Sequence, residues 1–171
     1  MSVENVVESV ECFPQGNMGG REQEETDMVM RWKRMREGAQ APQRQTEGAA
    51  GYDLRACVEA PVTLQPGDSY RFPTGIACEI PRGCAGLIFT RSGLGFKKGV
   101  AVRNGVGVID SDYRGELTVG LANFSSQAYT VSPGERVAQL VIVPICLPQL
   151  EEAEDLSATA RGEGGFGSTG Q

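Results

Sequence analysis

The 171-residue chain contains no histidine. That absence removes every Ser-His and Cys-His nucleophile, so a general base has to be a carboxylate, a lysine, a tyrosine or a thiolate. It also disfavours a structural zinc site, because the five cysteines (Cys12, Cys57, Cys78, Cys84 and Cys146) form no C-x-x-C pair. Free thiols in a reducing compartment, cytoplasmic or nuclear, are the expectation. Long apolar runs are missing too. No stretch approaches the roughly 18 apolar residues of a membrane span, and the opening "MSVENVVESVECF" lacks the basic flank and apolar run of a secretory signal. The phosphate-loop pattern G-x-x-x-x-G-K-[ST] occurs nowhere. The basic run "RWKRMR" (31–36) reads as part of a strand and not as a nuclear-targeting cluster, which leaves nuclear or cytoplasmic residence open. No membrane and no stable nucleic-acid partner are expected.

What is present points to turns. Glycine (23) and proline (9) are abundant, while 40% hydrophobic content suffices for one core. The net charge of −6 resides in residues 1–27, which hold seven acids and one base; 28–171 carries 15 of each. That acidic extension contains Val3, Val6, Val7 and Val10 at helical spacing, but ten residues are too few for a stable isolated helix. Disorder is expected there, with a segment that docks a protein partner as the alternative.

From Met28 onward, short β-like runs alternate with Gly, Pro, Asn and Asp. They are "MVMRWKRM", "SYRF", "GIACEI", "AGLIFT", "ELTVGLANF" and "RVAQLVIV". Leu117, Val119 and Leu121 alternate with Glu116, Thr118 and Gly120, a period of two. Turn signals this frequent predict an all-β barrel or sandwich such as a jelly roll. From Met28 onward, a helix is expected only around "LEEAEDL" (150–156). The glycine-rich end reads as a mobile arm.

Five glycine-marked islands carry the chemistry. In "AAGYDLRA" (49–56), Asp53 sits among apolar residues, where a buried carboxylate is costly unless paired; a turn aspartate is the plainer reading. "RSGLG" (91–95) combines a guanidinium, a hydroxyl and bare backbone, a compact anion-binding set. "NGVGVIDSDYRGELT" (104–118) predicts a hairpin with Asp110, Asp112 and Tyr113 clustered at its bend. "GERVAQL" (134–140) places Arg136 and Gln139 in a β-like run, solvated by default. "RGEGGFGSTG" (161–170) has an arginine and a lone aromatic ring in otherwise core-less sequence, an odd composition for a mere linker.

In order and spacing, these islands resemble the five motifs of the trimeric dUTPase family, with GVID-x-DYRGE and GGFGSTG as the most specific. The resemblance spans about 28–171. It implies a mostly antiparallel, distorted jelly-roll β-barrel (28–157) with an exchanged flexible C-terminal arm (158–171). It further implies a homotrimer with shared active sites that hydrolyses dUTP to dUMP and pyrophosphate. Such an activity limits uracil incorporation into DNA and supplies dUMP for thymidylate synthesis.

By the same resemblance, Asp110 activates the water that attacks the α-phosphorus. Asn104, Gly107, Val108, Ile109 and Thr118 read the uracil edge, and Tyr113 packs under the deoxyribose. Arg91, Ser92, Gly93 and Gln139 hold the phosphates. Mg2+ is bound mainly by the triphosphate, and Asp53 reaches it through water. Phe166 stacks on the base, Arg161 contacts phosphate, and Gly167, Ser168 and Thr169 cover the γ-phosphate. Gly95 stands where many members have alanine. Two other readings remain at this point: a same-fold dCTP deaminase, and a nucleotide sensor signalling through 1–27.

Overall fold

The computed structural model describes residues 29–164. The alternating and apolar runs form eleven strands: β1 (Arg31–Arg34), β2 (Gly51–Arg55), β3 (Val62–Leu64), β4 (Ser69–Pro73), β5 (Ile76–Glu79), β6 (Cys84–Phe89), β7 (Val100–Val102), β8 (Gly107–Ile109), β9 (Thr118–Asn123), β10 (Tyr129–Val131) and β11 (Arg136–Pro144). One helix, α1 (Ser92–Lys98), interrupts them. Every strand pairing is antiparallel. The sheets run β2-β11-β6-β8, β4-β9-β7, β1-β5 and β10-β3, the jelly-roll-like β architecture expected from the turn-rich pattern.

Each of the six runs read as β contains a strand, and the period of two in β9 is real. Leu117, Val119 and Leu121 are fully buried while Thr118 is exposed. With Leu54, Phe72, Ile76, Ile80, Val131, Val137 and Leu140 they form one continuous core. Burial of such side chains contributes about 1.5–3 kcal/mol each, which is what holds sheets this short together. The Pro66-Gly67 and Pro133-Gly134 turns have their glycines at φ 85 and 75, the left-handed region that proline followed by glycine serves.

Two local expectations change. Residues 150–156 form no helix, and Leu150 and Leu156 are 99% and 90% exposed. Glu151, Glu152, Glu154 and Asp155 repel one another there, and no packing surface offsets the cost of nucleating a helix. A helix forms instead on the "RSGLG" island, despite Gly93 and Gly95. Leu94 anchors it in the core, Gly99 caps it in the left-handed conformation at φ 65, and Lys97 and Lys98 sit in its last turn.

The expected hairpin over 104–118 is also replaced. Asp110 and Tyr113 do flank a tight turn, closed by Tyr113 N donating to Asp110 O at 3.2 Å. The strands on either side nevertheless part company: β8 pairs with β6, whereas β9 lies between β4 and β7. Residues 110–117 are too long a connection for a tight hairpin, so the chain crosses from one sheet to the other. Thr118 consequently pairs with Pro73 on β4, not with β8.

Polar staples hold the loops. Arg36 Nε donates to both carboxylate oxygens of Glu116 (2.8 and 3.0 Å), and Gly75 N donates to Glu116 Oε1 at 2.8 Å. The bond from Arg36 holds the Glu116 carboxyl below its ordinary value, against the opposing effect of burial. Asn123, buried, donates to Leu64 O and Gln127 O and accepts from Ser125. No buried side-chain N or O among the described residues lacks a partner.

Candidate active site

The first half of the site lies where β2, β11 and the end of β6 meet. Asp53 faces Gln139 across the β2–β11 ladder, and Gln139 faces Phe89 on β6. Asp53 is 7% exposed, so its charge requires compensation. Two arginines supply it: Arg91 Nε donates to Oδ1 at 2.8 Å, and Arg136 Nη1 donates to Oδ2 at 3.1 Å. Each engages Asp53 through one nitrogen of a group that carries five N–H donors, so the carboxylate orients two partly exposed cationic forks. Gln139 Nε2 donates to Thr90 O at 3.3 Å, and Thr90 Oγ1 accepts from Val102 N at 2.7 Å, which locks the entry to α1.

Ser92 and Gly93 follow, exposed in the first turn of α1. A Cβ at Gly93 would meet nothing within 4 Å, so the backbone there is open to a ligand. At Gly95 a Cβ would come within 2.9 Å of Thr90 Cγ2, so glycine at this position is matched to its threonine neighbour. Tyr129 lies close enough to feel the charge of Arg91. Burial, reinforced by donation to Glu135, pushes its phenol up to about 12. It is therefore a neutral donor at physiological pH.

The second half is built on β8 and the turn after it. β8 is the edge strand of its sheet, with Gly86, Leu87 and Ile88 of β6 opposite Ile109, Val108 and Gly107. Its other edge thus presents unpaired backbone, a template for a planar hydrogen-bonding partner. Asn104 precedes it, donating through Nδ2 to Val106 O at 3.0 Å. Asp110 ends the strand, exposed. Tyr113 Oη donates to Glu116 O at 3.2 Å, folding the ring over Gly115. A Cβ at Gly115 would lie 2.4 Å from that Oη, so only glycine lets the ring sit there.

Asp53, Arg91 and Gln139 are thus brought together, and so are Asn104, Gly107, Val108, Ile109, Asp110 and Tyr113. Thr118 lies on the neighbouring sheet. Arg161 is exposed on the strandless stretch after β11, donating to Gly164 O at 2.7 Å, and reaches neither cluster. Phe166, Gly167, Ser168 and Thr169 fall outside the described residues, as does the acidic extension with its valine stripe. Arg136, read as solvated, belongs to the first cluster. The signal for it was the need of a buried Asp53 for cations, though only the β2–β11 register names the partner.

Among the described residues, no group of three or more His, Cys, Asp or Glu is arranged to hold a metal ion. Both oxygens of Asp53 already accept from guanidinium groups, which suits contact with a hydrated cation through water and not direct ligation.

A histidine-free, jelly-roll-like β protein with an arginine corner on one side and an exposed aspartate beside a strand edge on the other has the parts of a nucleotide hydrolase. The chain belongs to the dUTPase family, whose profile matches residues 37–170. It is 54% identical over 131 residues to the deoxyuridine 5'-triphosphate nucleotidohydrolase of Alcanivorax borkumensis, covering 76% of this chain and 87% of that one. It is 48% identical over 139 residues to the protein of the same name from Hahella chejuensis, covering 81% and 91%. Among solved structures, the Staphylococcus bacteriophage 80alpha dUTPase with dUPNHPP is similar at a TM-score of 0.75 and 31% identity, over 84% of this chain and 99% of that one. A mutant dUTPase from phage phi11 of S. aureus, described with a structural Mg(II) ion, aligns at a TM-score of 0.70 and 27% identity, over 77% and 100%.

Proposed function

We infer that this chain is a dUTP diphosphatase, which hydrolyses dUTP to dUMP and pyrophosphate. The observation that carries the reading is the position of Asp110 directly after the free edge of β8. A uracil aligned on the backbone of Gly107, Val108 and Ile109 forms the hydrogen bonds of an added strand, with Asn104 at one end. Such a site rejects a mismatched base strongly, because a wrong donor pattern leaves buried groups unpaired. Tyr113, held over Gly115, supports the sugar. The carboxylate of Asp110 orients the attacking water and takes its proton, the general-base role that a histidine-free chain leaves to a group of this kind.

Arg91, Ser92, Gly93 and Gln139 receive the phosphates, with Asp53 and Arg136 setting the angle of the cationic forks. Mg2+ carried by the triphosphate would be met by Asp53 through water, and when bound it neutralises charge on the phosphate oxygens. Residues 28–157 are the catalytic domain and 158–171 the arm. Phe166 covers the base, while Arg161, Gly167, Ser168 and Thr169 close on the phosphates.

One chain does not bring the two clusters together, which supports a homotrimer with sites shared between subunits. The exposure of Leu147 (79%), Leu150 and Leu156 beyond β11 fits a tail that packs on a neighbour. The relatives and solved structures described above are dUTPases, which does not favour the dCTP deaminase reading. A reducing intracellular setting is supported by the free thiols of Cys57 and Cys78, the latter pushed up to about 11 by burial and so unreactive. No helix among the described residues is long and apolar enough to cross a membrane.

The test is pyrophosphate release from dUTP, dTTP, dCTP and UTP, with and without Mg2+. Metal-stimulated release from dUTP alone is expected. Equal release from dTTP or UTP would refute the base and sugar reading.

A further inference from the structure

The turn that carries Asp110 is held from outside by a side chain that the reading above leaves unused. Arg114 Nη1 donates to Ser111 O at 2.7 Å and to Tyr113 O at 3.0 Å, gripping two carbonyls of that turn. Its Nη2 reaches Glu79 Oε1 at 3.4 Å, at the end of β5. Glu79 in turn stands opposite Arg31 in the β1–β5 ladder, with Arg31 Nη1 3.6 Å from Glu79 Oε2. Asp110, Asp112, Arg114, Glu79 and Arg31 line one open cleft of ≈ 830 Å³.

The Arg31–Glu79 and Arg114–Glu79 pairs are about half exposed or more, so as stabilising contacts they contribute little. Their geometry matters more. Between Ile109, the last residue of β8, and the start of β9, the chain forms no strand ladder. Glu116 and Leu117 are anchored through Arg36, Gly75 and Ile76. The turn at 110–113 is closed by the Tyr113-to-Asp110 bond and tied by the Tyr113 hydroxyl to Glu116 O. A guanidinium bridging two carbonyls and a carboxylate fixes the turn's angle to the β1–β5 ribbon, because its fork is planar and its donors diverge at set directions. A lysine ammonium, a compact point charge, does not span the same three acceptors.

We propose that Arg114, tethered by Glu79, is a positioning residue for Asp110: it holds the turn so that the carboxylate points at the attacking water. The proposal rests on the hydrolase reading and adds to it a second layer that acts on turnover and not on nucleotide binding. Catalytic groups misplaced by about 1 Å lose on the order of 100-fold in rate, so a tether of this kind is felt in kcat.

The experiment is a set of three variants, Arg114→Met, Arg114→Lys and Glu79→Gln, read by dUTP kinetics, by thermal midpoint and by amide hydrogen exchange. In Arg114→Met, kcat is expected to fall by about tenfold or more with KM within about twofold. Arg114→Lys should recover only part of it. Glu79→Gln, which keeps an acceptor oxygen, should lower kcat less in the same direction, and the Glu79→Gln, Arg114→Met pair should be no worse than Arg114→Met alone. The Tyr113 amide should exchange about tenfold faster in Arg114→Met while core amides of β9 are unchanged.

An unchanged kcat, full recovery by lysine, or a loss that tracks the thermal midpoint with KM rising equally would overturn the proposal. If the unaltered chain released no pyrophosphate from dUTP, the hydrolase reading would fail first. The Tyr113 exchange rate would still decide whether Arg114 holds the turn.

Discussion

Asp110 and Arg91 stand at opposite ends of β6. Asp110 continues from Ile109, which faces Gly86, while Arg91 lies two residues past Phe89, which faces Gln139. Gly86 and Phe89 are themselves about 10 Å apart at the rise of an antiparallel strand, and both functional residues lie farther out. The carboxylate proposed to activate water is therefore distant from the same chain's proposed phosphate-holding corner. This separation supports the proposal that each site is shared between subunits.

Replacing Asp110 with Asn removes the proposed base and keeps the shape. Turnover should drop by about 10²–10⁴-fold while binding of a non-hydrolysable dUTP analogue stays within a few-fold. Calorimetric binding beside single-turnover rates checks both halves. An equal loss in both would assign Asp110 to binding.

Two glycines should respond in opposite ways. Ala at Gly115 drives a methyl into the Tyr113 ring, so the ring must leave, at a cost of about 1–3 kcal/mol in stability and with weaker nucleotide binding. Ala at Gly93 meets nothing in the chain, so the fold should keep its melting temperature while KM for dUTP rises. Melting curves and steady-state kinetics of the two variants separate internal packing from ligand approach.

The Glu116 carboxyl titrates below its ordinary 4.5 because Arg36 holds it ionised. Its contribution to stability is therefore complete above pH 4.5 and is lost as pH falls through the lowered value. Glu116→Gln should flatten this acid limb of a stability-versus-pH curve and leave the curve's shape near neutrality unchanged. Denaturant midpoints across the acid range measure it.

Deletion of 158–171 should leave a folded protein of unchanged oligomeric state with little activity on dUTP, as the proposed role of the arm in closing the site requires. Gel filtration with an activity assay tests the two statements separately. Full activity in the truncated chain would remove the arm from the mechanism.

Much of this was legible along the chain. Local alternation marks β9, and the buried faces of β6 and β11 are visible as apolar runs. Asp53, Arg91 and Asp110 stand out because a charged residue among glycines and apolar neighbours needs a reason. Long-range matters were hidden. That β8 joins β6 and not β9 depends on register between segments far apart in sequence, and the Asp53–Arg136 pair spans 83 positions. The α1 helix was obscured by its glycines, whose low propensity is overridden by Leu94 in the core and by the Gly99 cap. No reading of the sequence singled out Arg114, since its three acceptors become neighbours only when the turn folds against β5.

The most direct measurement uses two inactive variants, Asp110→Asn and Arg91→Ala, unfolded together in equal amounts, refolded and assayed for pyrophosphate release from dUTP. If each site takes Asp110 from one subunit and Arg91 from another, random reassembly restores roughly a quarter of the sites. Activity well above that of either variant alone is the expected result. A mixture no more active than its parts would mean that each chain completes its own site, and would contradict the account.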